Sequence, residues 1–373
     1  MNRLSTDEEV LRHLLARRPI LDVRAPTEFA DGSTPNSFNI PLLDDEQRAQ
    51  VGTLYKRCGP EAALALGHQL ISGEVQASRI AAWSDFFHAH PAGAIMCFRG
   101  GQRSQLVQAE LLNHGFDQPL IDGGFKRVRG LLSKQLDEAA EKKTWRVISG
   151  FTGAGKTRVM RTQNRLGFLD LEKAARHRGS SFGTWNEKQP SPVTFQNELA
   201  IETCRLIEAS IGRSVGEIGN PIWIEDESKS IGKLVLPPKL FAAISKSKVW
   251  ILEKPRAERA VSLTKEYLSE NYGLSHGVTP DEAVAEKVAL DIRRAILNIE
   301  RRLGGLETKN LLAMAEEASR EFTRDGKFSA HWPWVERVLA SYYDPLYEKH
   351  LASITDRVVG RGPEEALRAL AEA

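Results

Sequence analysis

The apolar positions of this chain gather in short runs, and most runs stop at a loop built of glycine, proline or charge. Ile20-Leu21-Asp22-Val23-Arg24 reads as a brief buried strand before a loop holding Pro26, Gly32 and Pro35, and Asn39-Ile40-Pro41-Leu42 opens another extended piece. Ala94-Ile95-Met96-Cys97-Phe98 is a further strand that runs straight into Gly100 and Gly101. From Ser104 to Leu112 the period changes, with Leu106, Val107, Leu111 and Leu112 at helical spacing. Strands leading into loops that open helices predict an α/β fold with a parallel sheet.

The pattern repeats further along. Trp145-Arg146-Val147-Ile148-Ser149, Gly167-Phe168-Leu169-Asp170-Leu171, Ile222-Trp223-Ile224-Glu225 and Lys248-Val249-Trp250-Ile251-Leu252 are strand candidates, and Phe195 to Ile211 is helical in period. From about Asp281 the pattern is almost wholly helical. Residues 131–144 are charged and carry no strand pattern, which places a linker near residue 140. The expected division is an α/β domain over 1–138, a second over 139–280, and a helical region over 281–373 packed on the second.

Composition narrows the class. Among 373 residues, 41% are apolar and 27% charged, as in ordinary globular chains. The 51 basic and 49 acidic residues leave a net charge of +2, so any nucleic-acid contact must come from a local basic face. Cys58, Cys97 and Cys204 form no CxxC pair, which argues against a disulfide framework or a structural zinc. The start of the chain is polar, and no run approaches the ~20 apolar residues of a bilayer span. The expectation is a cytoplasmic protein with no membrane partner.

Two segments carry chemistry. Gly150-Phe151-Thr152-Gly153-Ala154-Gly155-Lys156-Thr157 fits GxxxxGK[ST], in which Gly150, Gly153 and Gly155 let backbone amides turn inward on phosphate oxygens. Lys156 adds a point charge, Thr157 offers a ligand for Mg²⁺, and the following helix presents its positive end. Glu225 or Asp226, after the strand 222–225, is the expected acidic partner for the ion. The motif holds nucleotides, but it equally holds other diphosphate esters. In Cys97-Phe98-Arg99-Gly100-Gly101-Gln102-Arg103-Ser104 the cysteine ends a strand, Gly100 and Gly101 allow amides to converge, and Arg99 and Arg103 add positive charge. A helix opening near Ser104 favours the thiolate further, so Cys97 is the candidate nucleophile or chalcogen carrier.

Leu21-Asp22-Val23-Arg24-Ala25-Pro26-Thr27-Glu28-Phe29 with Asn39-Ile40-Pro41 resembles the opening signature of rhodanese domains. A rhodanese-like domain followed by a P-loop NTPase-like domain resembles the tRNA 2-selenouridine synthase family. Leu171 to Gly183, Ile224-Glu225-Asp226-Glu227-Ser228 and Tyr342-Tyr343-Asp344-Pro345-Leu346-Tyr347 fit the same family, so the resemblance spans nearly the whole chain.

The resemblance implies replacement of sulfur by selenium at C2 of a 5-substituted 2-thiouridine at the tRNA wobble position. It implies selenophosphate as donor, supplied by a selenophosphate-producing enzyme upstream, and transfer of geranyl from geranyl diphosphate onto the sulfur. On that reading Cys97 delivers selenium, Arg99, Gly100, Gly101 and Arg103 hold the donor phosphate, and the phosphate loop holds geranyl diphosphate with Mg²⁺. His177, Arg178 and Ser180 then form a loop facing the acceptor, and Arg293, Arg294, Arg301 and Arg302 offer a helical basic face for the tRNA backbone. Two other readings stay open: a cysteine-dependent phosphatase fused to a kinase-like domain, and a non-catalytic sulfur-carrier module that binds tRNA.

Overall fold

The apolar runs read as strands are parallel strands in the computed structural model, which describes residues 2–162, 167–177, 188–211 and 221–372. The chain divides into two units, Met1–Ala140 with Pro190–Glu208, and Glu141–Gln189 with Ala209–Ala373.

In the first unit β1 (Arg3–Leu4), β2 (Ile20–Asp22), β3 (Ser37–Asn39), β4 (Ala94–Met96) and β5 (Leu120–Ile121) make an all-parallel sheet in the order β1-β5-β4-β2-β3. β2 and β4 are buried at every position, as strands covered on both faces must be. Leu21, Val23 and Ile95 pack with Phe87, Val107 and Leu111 of the flanking helices.

Two segments differ from the sequence expectation. The charged stretch 131–144 is helical almost to its end, because Gly124–Lys142 is one helix. Leu131, Leu132, Leu136, Ala139 and Ala140 form its buried face while the charges stay on the other, leaving residues 143–144 as the connection. The helix Pro192–Ile211, read with the phosphate-loop segment, lies mostly in the first unit. Arg17 pairs with Glu198 at 2.6 Å and with Glu202, and Asn197 donates to the Ser33 carbonyl at 2.9 Å.

In the second unit β6 (Trp145–Ser149), β7 (Gly167–Leu169), β8 (Ile222–Glu225), β11 (Lys248–Leu252) and β12 (Val358–Gly362) form a parallel sheet in the order β12-β11-β6-β8-β7. A small antiparallel hairpin, β9 (Ser230–Ile231) and β10 (Leu234–Val235), stands apart. Residues 281–373 are helical, as expected, apart from β12, which returns to the sheet and pairs with β11 at its edge. The helices Arg256–Tyr272, Glu282–Asn298, Gly305–Asp325 and Trp332–Val338 share a core of Leu268, Ile292, Ile296, Leu311, Phe322 and Trp334. Among the described residues, no helix is long and apolar enough to cross a membrane.

Candidate functional site

Each chemically loaded loop leaves the C-terminal end of a central parallel strand, where open α/β sheets place their ligands. β4 delivers Cys97, which is 3% exposed. Its sulfur lies 3.0 Å from Ser104 Oγ, whose hydroxyl donates to the Gly101 carbonyl at 3.1 Å. Turning that one hydrogen from the carbonyl to the sulfur would solvate a thiolate. The helix Gln102–Asn113 begins at this point, so the sulfur lies at the positive end of its dipole.

The floor of the cysteine loop comes from β5. Gly123 and Gly124 turn the chain beneath it, and Phe125 N–H donates to the Cys97 carbonyl at 2.9 Å. Gly124 has φ +57°, and a Cβ there would stand 2.3 Å from the Cys97 oxygen. Gly100 lies against this turn; Gly101 opens the helix. Arg99 is exposed, near the Phe98 ring. Arg103 is not a free cation: Glu28 holds it at 2.5 and 3.2 Å. Burial pushes the Glu28 carboxyl up, but Arg103 outweighs it and keeps it below the usual glutamate range.

The Asp22-Val23-Arg24 segment braces the same loop. Arg24 is 1% exposed, bonded to Asp22 at 2.7–3.0 Å, to the Glu28 and Gly32 carbonyls, and stacked 3.9 Å from the centre of the Phe125 ring. Its role is architectural.

β6 delivers the phosphate loop. Gly150 has φ +142°, and a Cβ there would meet the Leu252 carbonyl at 2.4 Å, so only glycine lets the loop leave beside β11. Gly153 and Gly155 also have positive φ. Lys156 donates to the Gly150 carbonyl at 2.9 Å. Burial opposes its charge, but Tyr347, Glu225, Glu227 and Asp226 more than compensate and hold its proton above the usual lysine range.

Thr157 and Glu225 are hydrogen-bonded side chain to side chain. The second oxygen of Glu225 is buried and has no hydrogen-bond partner among the described residues. Glu172, Glu225 and Glu227 bring ligand oxygens within 4.8 Å of one another. Burial and the charge of Glu172 push the Glu225 carboxyl well above the ordinary value, and push Glu227 up to about 7. Asp226 faces elsewhere, bonded to Ser149 Oγ at 2.5 Å and to His350 Nε2 at 2.8 Å. Of the two expected acids, Glu225 is therefore the one at Thr157.

A third layer comes from the far end of the chain. A π-helical turn over Leu339–Tyr343 feeds the helix Asp344–Ser353. Asp344 binds Arg259, which donates to the Thr152 carbonyl of the phosphate loop at 3.0 Å. Tyr347 stands with its ring 5.5 Å from Lys156 Nζ and 6.3 Å from Phe151. Glu172, Glu227, Arg259, Asp344, Tyr347 and His350 were not singled out in the sequence as site residues. The tyrosine-rich segment that fits the family pattern was the available signal.

The remaining expected residues are scattered. His177 closes the turn after the helix Leu171–Ala175, with its Nδ1 buried and without a hydrogen-bond partner among the described residues. Arg178 and Ser180 lie outside the described residues. The basic face is interrupted: Ile299 ends the helix Glu282–Asn298, and Arg301 and Arg302 sit exposed on the separate turn Glu300–Leu303. Arg293 pairs with Glu316 at 3.0 Å and Arg294 with Asp291 at 3.3 Å. Cys204 is buried, which pushes its thiol up to about 11, and Cys58 is exposed.

Residues 143–373, which include the phosphate loop and all its supports, match a family model described as the tRNA 2-selenouridine synthase AAA domain. The tRNA 2-selenouridine synthase of Bordetella petrii is 39% identical over 98% of this chain and 95% of its own. That of Bdellovibrio bacteriovorus is 39% identical, covering 88% of each chain, and that of Shewanella halifaxensis 38% identical, covering 96% of each. Likeness of this extent takes in the cysteine loop as well as the phosphate loop, and the chain belongs to the tRNA 2-selenouridine synthase family.

Proposed function

We propose that this chain converts a 5-substituted 2-thiouridine at the tRNA wobble position into 2-selenouridine, through S-geranyl-2-thiouridine. The observation that carries the reading is the presence of two differently built loops, each suited to an anion. One holds a buried thiol at a helix N-terminus, and the other holds a half-buried lysine beside a threonine and carboxylates.

Each suits one half of the chemistry. A thiocarbonyl sulfur is a poor leaving group, and alkylation makes it a good one. In this reading the amides after Gly150 and Lys156 hold the diphosphate of geranyl diphosphate while the 2-thio sulfur attacks the allylic carbon. The sulfur–carbon bond forms, the carbon–oxygen bond breaks, and diphosphate leaves with the electron pair. Selenium from selenophosphate, bound at Cys97 by loop amides, Arg99 and an Arg103 shared with Glu28, then attacks C2. Geranylthiolate departs, and water takes the phosphoryl group.

Thr157 and Glu225 with its buried second oxygen, flanked by Glu172 and Glu227, fit a divalent cation. When bound, Mg²⁺ would neutralise charge building on the departing diphosphate. Exposed Arg301 and Arg302 supply phosphate contacts for tRNA. The selenophosphate comes from a selenophosphate-producing enzyme upstream, in the cytoplasm.

Mass spectrometry of wobble nucleosides tests the scheme, with geranyl diphosphate and selenophosphate omitted in turn. Omitting selenophosphate should accumulate the S-geranyl nucleoside, and omitting geranyl diphosphate should leave 2-thiouridine untouched. Phosphate release from an aryl phosphate, or persulfide on Cys97 without turnover, would instead support a phosphatase or a carrier.

A further inference from the structure

The S-alkylation step leaves one proton to be placed. In 2-thiouridine the thiocarbonyl carbon is bonded to N3–H, and a neutral S-alkyl product has no hydrogen on N3. A base beside the phosphate loop that removes it as the sulfur attacks would make that sulfur a better nucleophile.

We propose that His350 is the general base that takes the N3 proton of 2-thiouridine during S-alkylation, with Asp226 holding its ring; this rests on the reading of the phosphate loop given above. His350 lies on the helix Asp344–Ser353, one turn beyond Tyr347, whose ring approaches Lys156. Its Nε2 donates to Asp226 Oδ2 at 2.8 Å, and the same oxygen accepts from Ser149 Oγ at 2.5 Å. Ser149 immediately precedes Gly150, so the imidazole is two hydrogen bonds from the residue that leads into the loop. The carboxylate keeps the hydrogen on Nε2 and leaves the Nδ1 lone pair facing outward. Nδ1 has no hydrogen-bond partner among the described residues, and the side chain is 44% exposed, so a nucleobase can reach it.

The neighbouring bases fit less well. Glu225 is bonded to Thr157, and Glu227 faces the carboxylate cluster. His177 has a buried Nδ1 with no hydrogen-bond partner among the described residues, so it does not present that nitrogen to an acceptor base in solvent. His350 is faced by Asp226, which stabilises its charged form, and by Arg357, which opposes it.

The step balances. The N3–H bond breaks and its proton passes to Nδ1, while its electron pair becomes the N3–C2 double bond. The C2–S double bond becomes single as sulfur bonds the allylic carbon, and diphosphate leaves with the former carbon–oxygen pair. The imidazolium returns its proton to water.

Single-turnover S-geranylation by the full chain tests the assignment, using an anticodon stem-loop with 2-thiouridine or its N3-methyl analogue and no selenophosphate. His350→Gln should slow reaction of the natural acceptor by about 100-fold, and Asp226→Asn by about 10-fold. With the N3-methyl acceptor, which has no proton to give, the ratio of wild type to His350→Gln should fall to near one. Geranyl diphosphate affinity, measured by equilibrium dialysis, should be the same for both and shows that the loop is formed. Slowing of less than about twofold on the natural acceptor, or equal slowing on both acceptors, overturns the role of His350. Absence of S-geranyl product with the wild-type protein instead overturns the underlying reading of the phosphate loop.

Discussion

Arg259 and Asp344 meet face to face, joined by two hydrogen bonds of 2.9 Å, with each side chain 4% exposed. Burial pushes Asp344 up, yet Arg259 and Arg256 outweigh it and hold the carboxylate ionised. Because Arg259 also donates to the Thr152 carbonyl, this pair ties the helix that carries Tyr347 and His350 to the phosphate loop. Removing one partner of a buried pair costs far more than the pair contributes, since the other charge stays behind.

Asp344→Ala should therefore destabilise the protein by about 3–5 kcal/mol in equilibrium denaturation, and Asp344→Asn by less, since the amide keeps a hydrogen bond to Arg259. At temperatures where Asp344→Asn is still folded, its diphosphate affinity should fall, because the loop loses a fixed carbonyl. An Asp344→Asn protein with wild-type affinity would show that the pair is structural only.

Gly124 makes a second sharp prediction. Its backbone is left-handed, and a methyl group would collide with the Cys97 carbonyl and the Gly100 amide. The backbone conformation alone costs an alanine about 1–2 kcal/mol, and the collision adds to it, so Gly124→Ala should cost on the order of 3 kcal/mol. Selenium transfer should be lost while S-geranylation persists, as read by nucleoside mass spectrometry.

What could be read from the chain follows from how locally each feature is encoded. The phosphate loop is contiguous, and its glycines, lysine and threonine stand in the structure where the pattern puts them. The cysteine loop is only half contiguous: Gly123 and Gly124 complete it from another strand, and no spacing rule links them to Cys97. Asp344 and His350 act 85 and 124 residues from their partners, so chemistry alone could not select them. β12 is hard to read in the sequence because Val358-Val359-Gly360-Arg361-Gly362 carries two glycines, which weaken a strand pattern. Trp250 explains one of them, since a Cβ at Gly360 would lie 2.2 Å from its ring.

The two loops should separate by mutation. Cys97→Ser should abolish selenium transfer and leave S-geranylation measurable, because the phosphate loop is built without Cys97. Lys156→Ala should impair S-geranylation first, by about 100-fold or more, as loss of a charge aimed at a leaving group does. Loss of both products in a folded Cys97→Ser protein would refute this division.

The carboxylate cluster predicts how cations and pH interact. Glu225 and Glu227 have raised folded-state values, so each keeps a proton that the unfolded chain releases above its ordinary 4.5. The native state then binds more protons than the unfolded one. Stability of the ligand-free protein should therefore fall as pH rises from about 4.5 through about 7. A divalent cation reverses the balance, since it needs the carboxylates ionised and its binding releases their protons. Added Mg²⁺ should raise the melting temperature more at about pH 8 than at about pH 6. Glu225→Gln should lose most of that gain and flatten the pH dependence of the ligand-free protein. Thermal denaturation with and without the ion at both pH values reads all of this. An equal gain at both, or a gain untouched by Glu225→Gln, would place the cation away from the cluster.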